Sequence, residues 1–447
     1  MTDISRRAFT ALKMLNDAGF QAYIVGGAVR DSLMNIPAGD IDITTDAFPG
    51  QVKRIFAGHR VVETGIKHGT VTVILEDESI EITTYRTESG YTDSRHPDSV
   101  QFTASLQEDC ARRDFTINAI CYNPAGGIMD YYGGREDIQN RRIRCVGDPV
   151  QRFTEDALRI LRAVRFASVL GFEIESETKK AVFSCAHLLK NISPERIYAE
   201  LIKLICGINV KQILLEYTEV LAVFMPEIMA AKGFDQKNHH HIYDVLEHTA
   251  VAVESTPPIP QLRLAALLHD LGKPHTFTID ENGVGHFYGH GETSWRLACD
   301  ILRRLKVSND DFRLITTLVR YHDTPLATTE KSVRRALNKY GETGLKLLLR
   351  LKRADNRGQN IRDFDCTAEY DRLEEMIDYV LEKQQCFSLK QLAVNGSDLM
   401  ASGIPPSPQL GRMLDTLLDM VINGEIENNR EKLLAAAEIL RNKETGI

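Results

Sequence analysis

The chain has 447 residues, 43% of them hydrophobic, which is enough for two to four domains with sizeable cores. Its net charge of −8 excludes non-specific wrapping of nucleic acid by the whole surface, while leaving room for local basic tracks. No apolar run reaches about 18 residues, the N-terminus does not read as a signal peptide, and eight scattered cysteines form no CxxC; no membrane span is expected and a reducing cytoplasm fits.

Residues 1 to about 146 alternate helix and strand. The first helix ends near Gly19, QAYIV (21–25) reads as a buried strand, and Gly26-Gly27 opens a helix through AVRDSLM. IDITT (41–45) is the next strand and PGQVKRIF (49–56) is helical. TVTVILE (70–76) and SIEITTYR (79–86) alternate with period two, as half-buried strands do. CARRDFTINAICYN (110–123) reads as a helix running into an apolar segment. This first domain, 1–148, is expected to be α+β around a small sheet.

Beyond Asp148-Pro149 the periodicity is almost entirely helical, as in EDALRILRAVRFASVL, SPERIYAELIKLI and IPQLRLAALLHDLG. Gly and Pro collect in loops such as STPPIP (255–260) and GIPPSPQLG (403–411). One hairpin is expected at TFTIDENGVGHF (276–287). Further divisions are expected to give domains at 149–225, 226–365 and 366–447.

Within GDIDITTD, Asp40 and Asp42 alternate with Ile41 and Ile43. On a strand, residues i and i+2 share a face, so two carboxylates lie side by side and repel. A cation between them removes that cost; a turn, which Asp also favours, is the alternative. Glu81, in SIEITTYR, offers a third carboxylate. Carboxylates on adjacent strands suit two Mg2+ ions, which activate a hydroxyl nucleophile and steady a pyrophosphate leaving group. No Cys or His adjoins the pair to favour zinc. Gly26 and Gly27, between strand and helix, let backbone N–H groups approach a triphosphate, although tight turns use the same pair. Arg30 offers its charge to phosphate or to Asp31.

GGAVRDSL, GDIDI, RRDFTINA and EDALRILRAVRFA, in this order and spacing, resemble the motifs of bacterial class II tRNA nucleotidyltransferases, the CCA-adding enzymes and their poly(A) polymerase relatives. The resemblance runs from about residue 20 to 210. It implies a polymerase-β-like nucleotidyltransferase head followed by an all-α neck, with tRNA, CTP and ATP as partners. In that family the GDIDI aspartates bind the catalytic metals, which gives Asp40 and Asp42 that role, with Glu81 as the third carboxylate. The RRDFTINA motif contacts the ribose, implicating Arg113 and Asp114. Gly26, Gly27, Arg30, Asn118 and Arg162 complete the implied nucleotide-binding set.

The family's EDxxR motif reads the base without a template; here it is Glu155, Asp156 and Arg159. Read as one helix, EDALR places Asp156 and Arg159 on a shared face. A carboxylate accepts from the exocyclic amino group of cytosine or adenine while a guanidinium donates to the ring nitrogen. Uracil and guanine put a carbonyl opposite the carboxylate. An ordinary i,i+3 ion pair is the alternative.

The polar segment TESGYTDSRHPDSVQF (87–102) corresponds to a family loop that accompanies the switch from C to A addition and is shortened in CC-only enzymes. Its full length favours complete CCA addition, with A-only addition by an A-adding enzyme or poly(A) polymerase as the rival. DYYGGREDI (130–138) resembles the connector between head and neck and is expected to hinge.

A second constellation lies downstream. His248, His269-Asp270, His290, His322 and Asp355 fall in helical segments in the order H…HD…H…H…D. This resembles the HD phosphohydrolase superfamily, where the first His, the HD pair and the last Asp bind one metal and the intervening His bind a second. Imidazole-rich ligation favours Mn, Fe, Ni or Zn, and such a site activates water against a phosphoester. His239, His240 and His241 are expected to be exposed loop residues, with a ligand cluster as the alternative. The segment 392–434 resembles the family's tRNA-binding tail; a plain helical hairpin is the alternative. The rival functions are a metal-dependent phosphohydrolase with a vestigial transferase head and a non-catalytic tRNA-binding protein. Intact GDIDI and EDALR weigh against both. No motif specifies an oligomeric state.

Overall fold

The computed structural model describes residues 4–63, 65–89 and 99–445, so residues 90–98 of the expected switch loop lie outside the described residues. The chain divides into two compact units, Met1–Met229 with Arg304–Lys306, and Ala230–Arg303 with Val307–Ile447. The head–neck boundary expected at 148 falls inside the first unit.

The first unit opens with α1 (Arg6–Asp17), whose Ser5 cap accepts from the Ala8 N–H at 3.0 Å. There follow β1 (Ala22–Val25), α2 (Gly27–Leu33), β2 (Ile41–Thr45), α3 (Pro49–Ile55), β3 (Arg60–Val62), β4 (Thr70–Leu75), β5 (Glu78–Thr84), β6 (Arg86–Ser89), β7 (Ser99–Phe102), α4 (Leu106–Ala111), β8 (Ile120–Asn123) and β9 (Gly127–Asp130). Seven strands form one sheet in the order β3-β4-β5-β2-β1-β8-β9, and β6 pairs with β7 separately. Only β2 and β5 run parallel among neighbours in the large sheet; the other pairs are antiparallel.

Period two sorts the side chains. Ile24, Ile41, Ile43, Val71, Val73, Ile80 and Ile82 face Ala8, Leu12 and Leu15 of α1 and Val52 of α3. The register pairs Val25 with Asp42 and Asp42 with Glu81, so these three turn to the opposite face. A second apolar cluster covers part of that face, where Val25 meets Tyr85, Leu106, Cys110 and Cys121.

The helix expected over 110–123 is corrected. Residues Leu106–Ala111 are helical, Thr116–Asn118 make one 3-10 turn, and Ile120–Asn123 are a strand beside β1. The Asp114 carboxylate accepts from the Phe115 N–H at 2.8 Å, a local bond that competes with the helical ladder. The Ile-Cys-Tyr run then buries Ile120 and Cys121 fully as strand.

The unit continues with α5 (Gly134–Gln139), β10 (Arg142–Ile143), α6 (Pro149–Glu155), α7 (Leu158–Leu170), β11 (Glu173–Ile174), α8 (Ser176–Cys185), α9 (Pro194–Ile205), α10 (Val210–Glu216) and α11 (Thr218–Leu221). Asp148 caps α6 through the Gln151 N–H at 2.7 Å, with Pro149 in the first turn. The single helix expected through EDALR is also corrected. Asp156 is extended, at φ −135° and ψ 101°, and its carboxylate accepts from the Leu158 N–H at 3.1 Å. That bond starts a new helix, so Asp156 and Arg159 do not share a helical face.

The second unit is helical apart from a short hairpin. It contains α12 (Val245–Ser255), α13 (Pro260–Leu268), α14 (Lys273–Thr276), β12 (Thr278–Ile279), β13 (Gly285–His286), α15 (His290–Arg304, whose last residue falls in the first unit), α16 (Asn309–Tyr321), α17 (Glu330–Arg357), α18 (Thr367–Glu382), α19 (Gly396–Ala401), α20 (Pro408–Ile422) and α21 (Arg430–Thr445). The hairpin expected at 276–287 is β12–β13. Helix α17 breaks at Gly341, where φ is 69°. No helix among the described residues is long and apolar enough to cross a membrane.

Candidate active site

The parallel pairing of β2 with β5 sets Asp42 directly beside Glu81, and Asp40 lies just before β2. Burial pushes the Asp42 carboxyl up to about 6; Arg113 opposes the rise, and Glu81 and Asp40 add to it. A half-buried acid crowded by two like charges fits a cation. The carboxylates of Asp40, Asp42 and Glu81 do not all close within 4.8 Å of one another, so the triad is open.

Gly26, at φ +77°, turns the chain from β1 into α2 in a conformation that L side chains rarely adopt. A Cβ there would lie 3.6 Å from Asp42 Oδ2 and 3.7 Å from Arg113 Nη1. Gly26, Asp42 and Arg113 therefore share one corner. Gly27 follows at the start of α2, a would-be Cβ there lying 3.5 Å from Arg30 Nη2.

Arg113 is set by Asp109, a fully buried carboxylate that no motif singled out. Asp109 accepts from Thr44 Oγ1 at 2.9 Å, from Arg112 at 2.9 and 2.8 Å, and from Arg113 at 3.4 Å. Burial acts to raise its pKa, but Arg112 and Arg113 outweigh burial and hold it below the usual carboxylate range. The local signal was EDCARR, which places Asp109 three and four residues before the two arginines.

The other implied nucleotide-binding residues form one network. Arg30 donates to Asn118 Oδ1 at 2.7 Å and pairs with Asp31. Asn118 donates to Asp114 Oδ1 at 3.0 Å, and Arg162 donates to Asp114 Oδ2 at 2.9 Å. Burial acts to raise the Asp114 pKa, but Arg162 and the Asn118 hydrogen bond hold it far below the usual range. RRDFTINA and α7 thus meet through the Asp114 carboxylate.

The residues expected to read the base are held apart. Arg159 donates to Glu155 Oε2 at 3.0 Å and to the Arg112 carbonyl at 2.9 Å. Asp156 instead accepts from Arg196 of α9 at 3.3 Å. The expected Asp156–Arg159 pair is therefore replaced by two separate pairs. Sequence reasoning missed Arg196, which lies 40 residues from its partner.

In the second unit, all six residues of the other constellation converge. His248, His269, Asp270 and Asp355 offer ligand atoms within 4.8 Å of one another, as do Asp270, His290 and His322. Each imidazole Nδ1 contacts a backbone carbonyl: His248 that of Gly358 at 2.9 Å, His269 that of Ala266 at 2.7 Å, His290 that of Phe287 at 2.9 Å and His322 that of Val319 at 2.7 Å. A carbonyl only accepts, so Nδ1 of each ring carries a proton, and whenever such a ring is neutral its Nε2 presents a lone pair inward. The Nε2 atoms of His290 and His322 lie 3.0 Å apart, and those of His248 and His269 3.3 Å apart. Facing lone pairs repel unless positive charge lies between them.

Asp270 joins the two groups. Its Oδ2 lies 3.1 Å from His248 and 3.2 Å from His269, and its Oδ1 lies 3.4 Å from His290 and 3.5 Å from His322. Lys273 Nζ lies 2.7 Å from Oδ2. The donor set fits transition-metal ions. His241, expected to be exposed, lines the same pocket of about 290 Å³ with a buried Nδ1 that has no partner.

Three family models match the chain: Poly A polymerase head domain at residues 22–144, Probable RNA and SrmB-binding site of polymerase A at 171–232, and tRNA nucleotidyltransferase domain 2 at 293–437. The chain is 33% identical over 440 residues to a CCA-adding enzyme of Ligilactobacillus salivarius, covering 98% of this chain and 97% of the relative. It is 36% identical over 436 residues to one of Latilactobacillus sakei, covering 96% and 97%. Among solved structures, it is similar to the Bacillus stearothermophilus CCA-adding enzyme in complex with CTP, at a TM-score of 0.74 and 30% identity over 98% of each chain.

Proposed function

The chain belongs to the CCA-adding enzyme family, and from that premise we propose that it completes tRNA 3′ ends, adding C and A from CTP and ATP without a nucleic-acid template. The tRNA 3′-hydroxyl oxygen attacks the α-phosphorus of the nucleotide. A phosphodiester bond forms, the α–β phosphoanhydride bond breaks and pyrophosphate leaves.

The observation that carries this reading is the strand register: Asp42 beside Glu81, facing away from the core, at the corner occupied by Gly26 and Arg113. Asp40 and Asp42 would hold divalent cations, Mg2+ foremost, with Glu81 adjacent. Bound there, the cations supply charge neutralisation for the attacking oxygen and the departing pyrophosphate. Arg30 and Arg162, oriented by Asn118 and Asp114, bind the polyphosphate and ribose. Asp156 and Arg159 read the base edge from either side of the α6–α7 break. Residues 1–148 act as head, 149–225 as neck, 226–365 as the HD-type domain and 366–447 as a tRNA-binding tail. The setting is the cytoplasm, consistent with eight free thiols.

The test is extension of tRNAs ending before C, after C and after CC, with Mg2+, CTP and ATP, followed by product sequencing. Full CCA is expected in each case; A-only products, or equal use of UTP and GTP, refute the reading. Asp42→Ala abolishes addition while circular dichroism stays unchanged.

Asp270, shared between two imidazole pairs, favours a second activity: metal-dependent phosphoester hydrolysis in the second unit, with Mn, Fe, Ni or Zn as the metal. Hydrolysis of a 2′,3′-cyclic phosphate is expected to vanish with chelator and with Asp270→Ala, while Asp42→Ala leaves it intact. Hydrolysis that survives Asp270→Ala removes this reading alone.

A further inference from the structure

Phe166 lies inside the EDALRILRAVRFA motif, yet nothing in the transferase chemistry calls for a phenyl ring. Its ring is nearly buried, 5% exposed, and packs edge-on against Phe115 at 5.7 Å. Three guanidinium groups surround it. Arg165 lies 3.8 Å from the ring centroid, Arg30 5.1 Å and Arg162 5.5 Å. Like charges brought this close repel. Each arginine has one carboxylate partner, Arg30 with Asp31, Arg162 with Asp114 and Arg165 with Glu200, and the ring is what all three share.

A carboxylate holds an arginine by cancelling its charge. The face of an aromatic ring attracts a cation through its quadrupole and carries no net charge of its own. A ring therefore gathers guanidinium groups without adding negative charge beyond the one carboxylate that each already meets. Arg165, 3.8 Å from the ring centroid and tied to the buried Glu200, anchors the ring. Arg30 and Arg162, the two arms joined to the Asn118–Asp114 network, are steered by it from the other contacts.

We propose that Phe166 is a positioning residue for polyphosphate binding: backed by Arg165 and Glu200, its ring holds Arg30 and Arg162 in the spacing that receives the phosphate chain of the incoming nucleoside triphosphate. This rests on the transferase reading of the head and adds a residue to it. The ring touches no substrate; it acts through the two arginines.

The test replaces Phe166 by Leu, which keeps an apolar side chain and removes the π face, and by Tyr, which keeps that face. Binding of inorganic tripolyphosphate is measured by calorimetry on the full chain, and CTP and tRNA kinetics are measured alongside. Phe166→Leu is expected to weaken tripolyphosphate binding about fivefold to tenfold and to raise the KM for CTP by a similar factor, the loss of two cation–ring contacts. The KM for tRNA moves less than twofold, kcat falls less than KM rises, and Phe166→Tyr restores tripolyphosphate affinity to within twofold of the parent. Unchanged tripolyphosphate affinity in Phe166→Leu overturns the proposal. So does an equal loss in Leu and Tyr accompanied by a higher KM for tRNA, which marks Phe166 as packing alone. The calorimetry needs no turnover, so failure of the parent to add nucleotides counts against the transferase reading and leaves the ring's role separately measurable.

Discussion

Replacing Asp109 by Asn tests how the head holds Arg113 beside Asp42. The amide keeps the size of the carboxylate and removes its charge. In the parent, Asp109 is fully buried and faces Arg112 at 2.8 Å, Arg113 at 3.4 Å and the Thr44 hydroxyl at 2.9 Å. Removing one partner of a buried ion pair costs about 3–5 kcal/mol, because the other charge stays desolvated. Arg112 keeps Glu88 at 3.2 Å, so the loss falls mainly on Arg113 and the lower end, about 3 kcal/mol, is expected. The only tryptophan, Trp295, lies in the second unit, so unfolding of the first is followed by hydrogen exchange at β1 and β2. Exchange there should accelerate by about two orders of magnitude, since 1.4 kcal/mol is tenfold. The kcat/KM for CTP should fall at least tenfold, as Arg113 loosens beside Asp42. Because the folded pKa of Asp109 is depressed, its contribution is present above the unfolded value near 3.8 and is lost as pH falls through the lower folded value. The difference between parent and Asp109→Asn should therefore shrink below about pH 4. A stability change under about 1 kcal/mol with unaltered CTP kinetics would show that the carboxylate neither anchors Arg113 nor shapes the site.

Three further outcomes are expected. Gly134→Ala puts a Cβ 2.2 Å from the Thr116 carbonyl oxygen, backbone that cannot rotate away, so a loss of about 2–3 kcal/mol in thermal or denaturant unfolding is expected. Arg196→Ala frees the Asp156 carboxylate from its 3.3 Å partner; UTP misincorporation should rise about threefold to tenfold, near the value of one hydrogen bond, and Arg196→Lys should recover part of the selectivity. Glu175 caps α8 through the N–H groups of Glu177 and Thr178, and these bonds outweigh burial to bring its pKa down to about 2. Its stabilisation is fully present above the unfolded value near 4.5 and lost as pH falls through about 2, so Glu175→Gln should lower Tm at pH 7 and lower it much less at pH 2.5.

The sequence made the chemistry easier to read than the joints that aim it. Alternation of Ile with Asp in GDIDI identifies a half-buried strand, and period two alone predicts that Asp42 turns from the core. The six residues of the second constellation were readable as a pattern, but the backbone-carbonyl anchoring of its four histidines depends on helix ends that only the fold supplies. The two corrected helices have one cause. At Asp114 and Asp156 an aspartate side chain bonds a backbone N–H one or two residues ahead, and such a bond leaves no trace in hydrophobic periodicity. Arg196 and Phe166 escaped notice for another reason: Asp156, which Arg196 meets, and Arg30 and Phe115, which Phe166 meets, come from distant parts of the chain, and neither residue type is diagnostic by itself.

The strand order also governs when the transferase centre comes into being. The acids of β2 and β5 become neighbours through a parallel pairing that no tight hairpin can make, and β1 is enclosed only when β8, about a hundred residues later, adds to its other edge. A nascent chain emerging from the ribosome therefore carries the GDIDI segment long before the sheet that gives it meaning is closed. Competence to capture a nucleotide arrives late and all at once, with the last central strand.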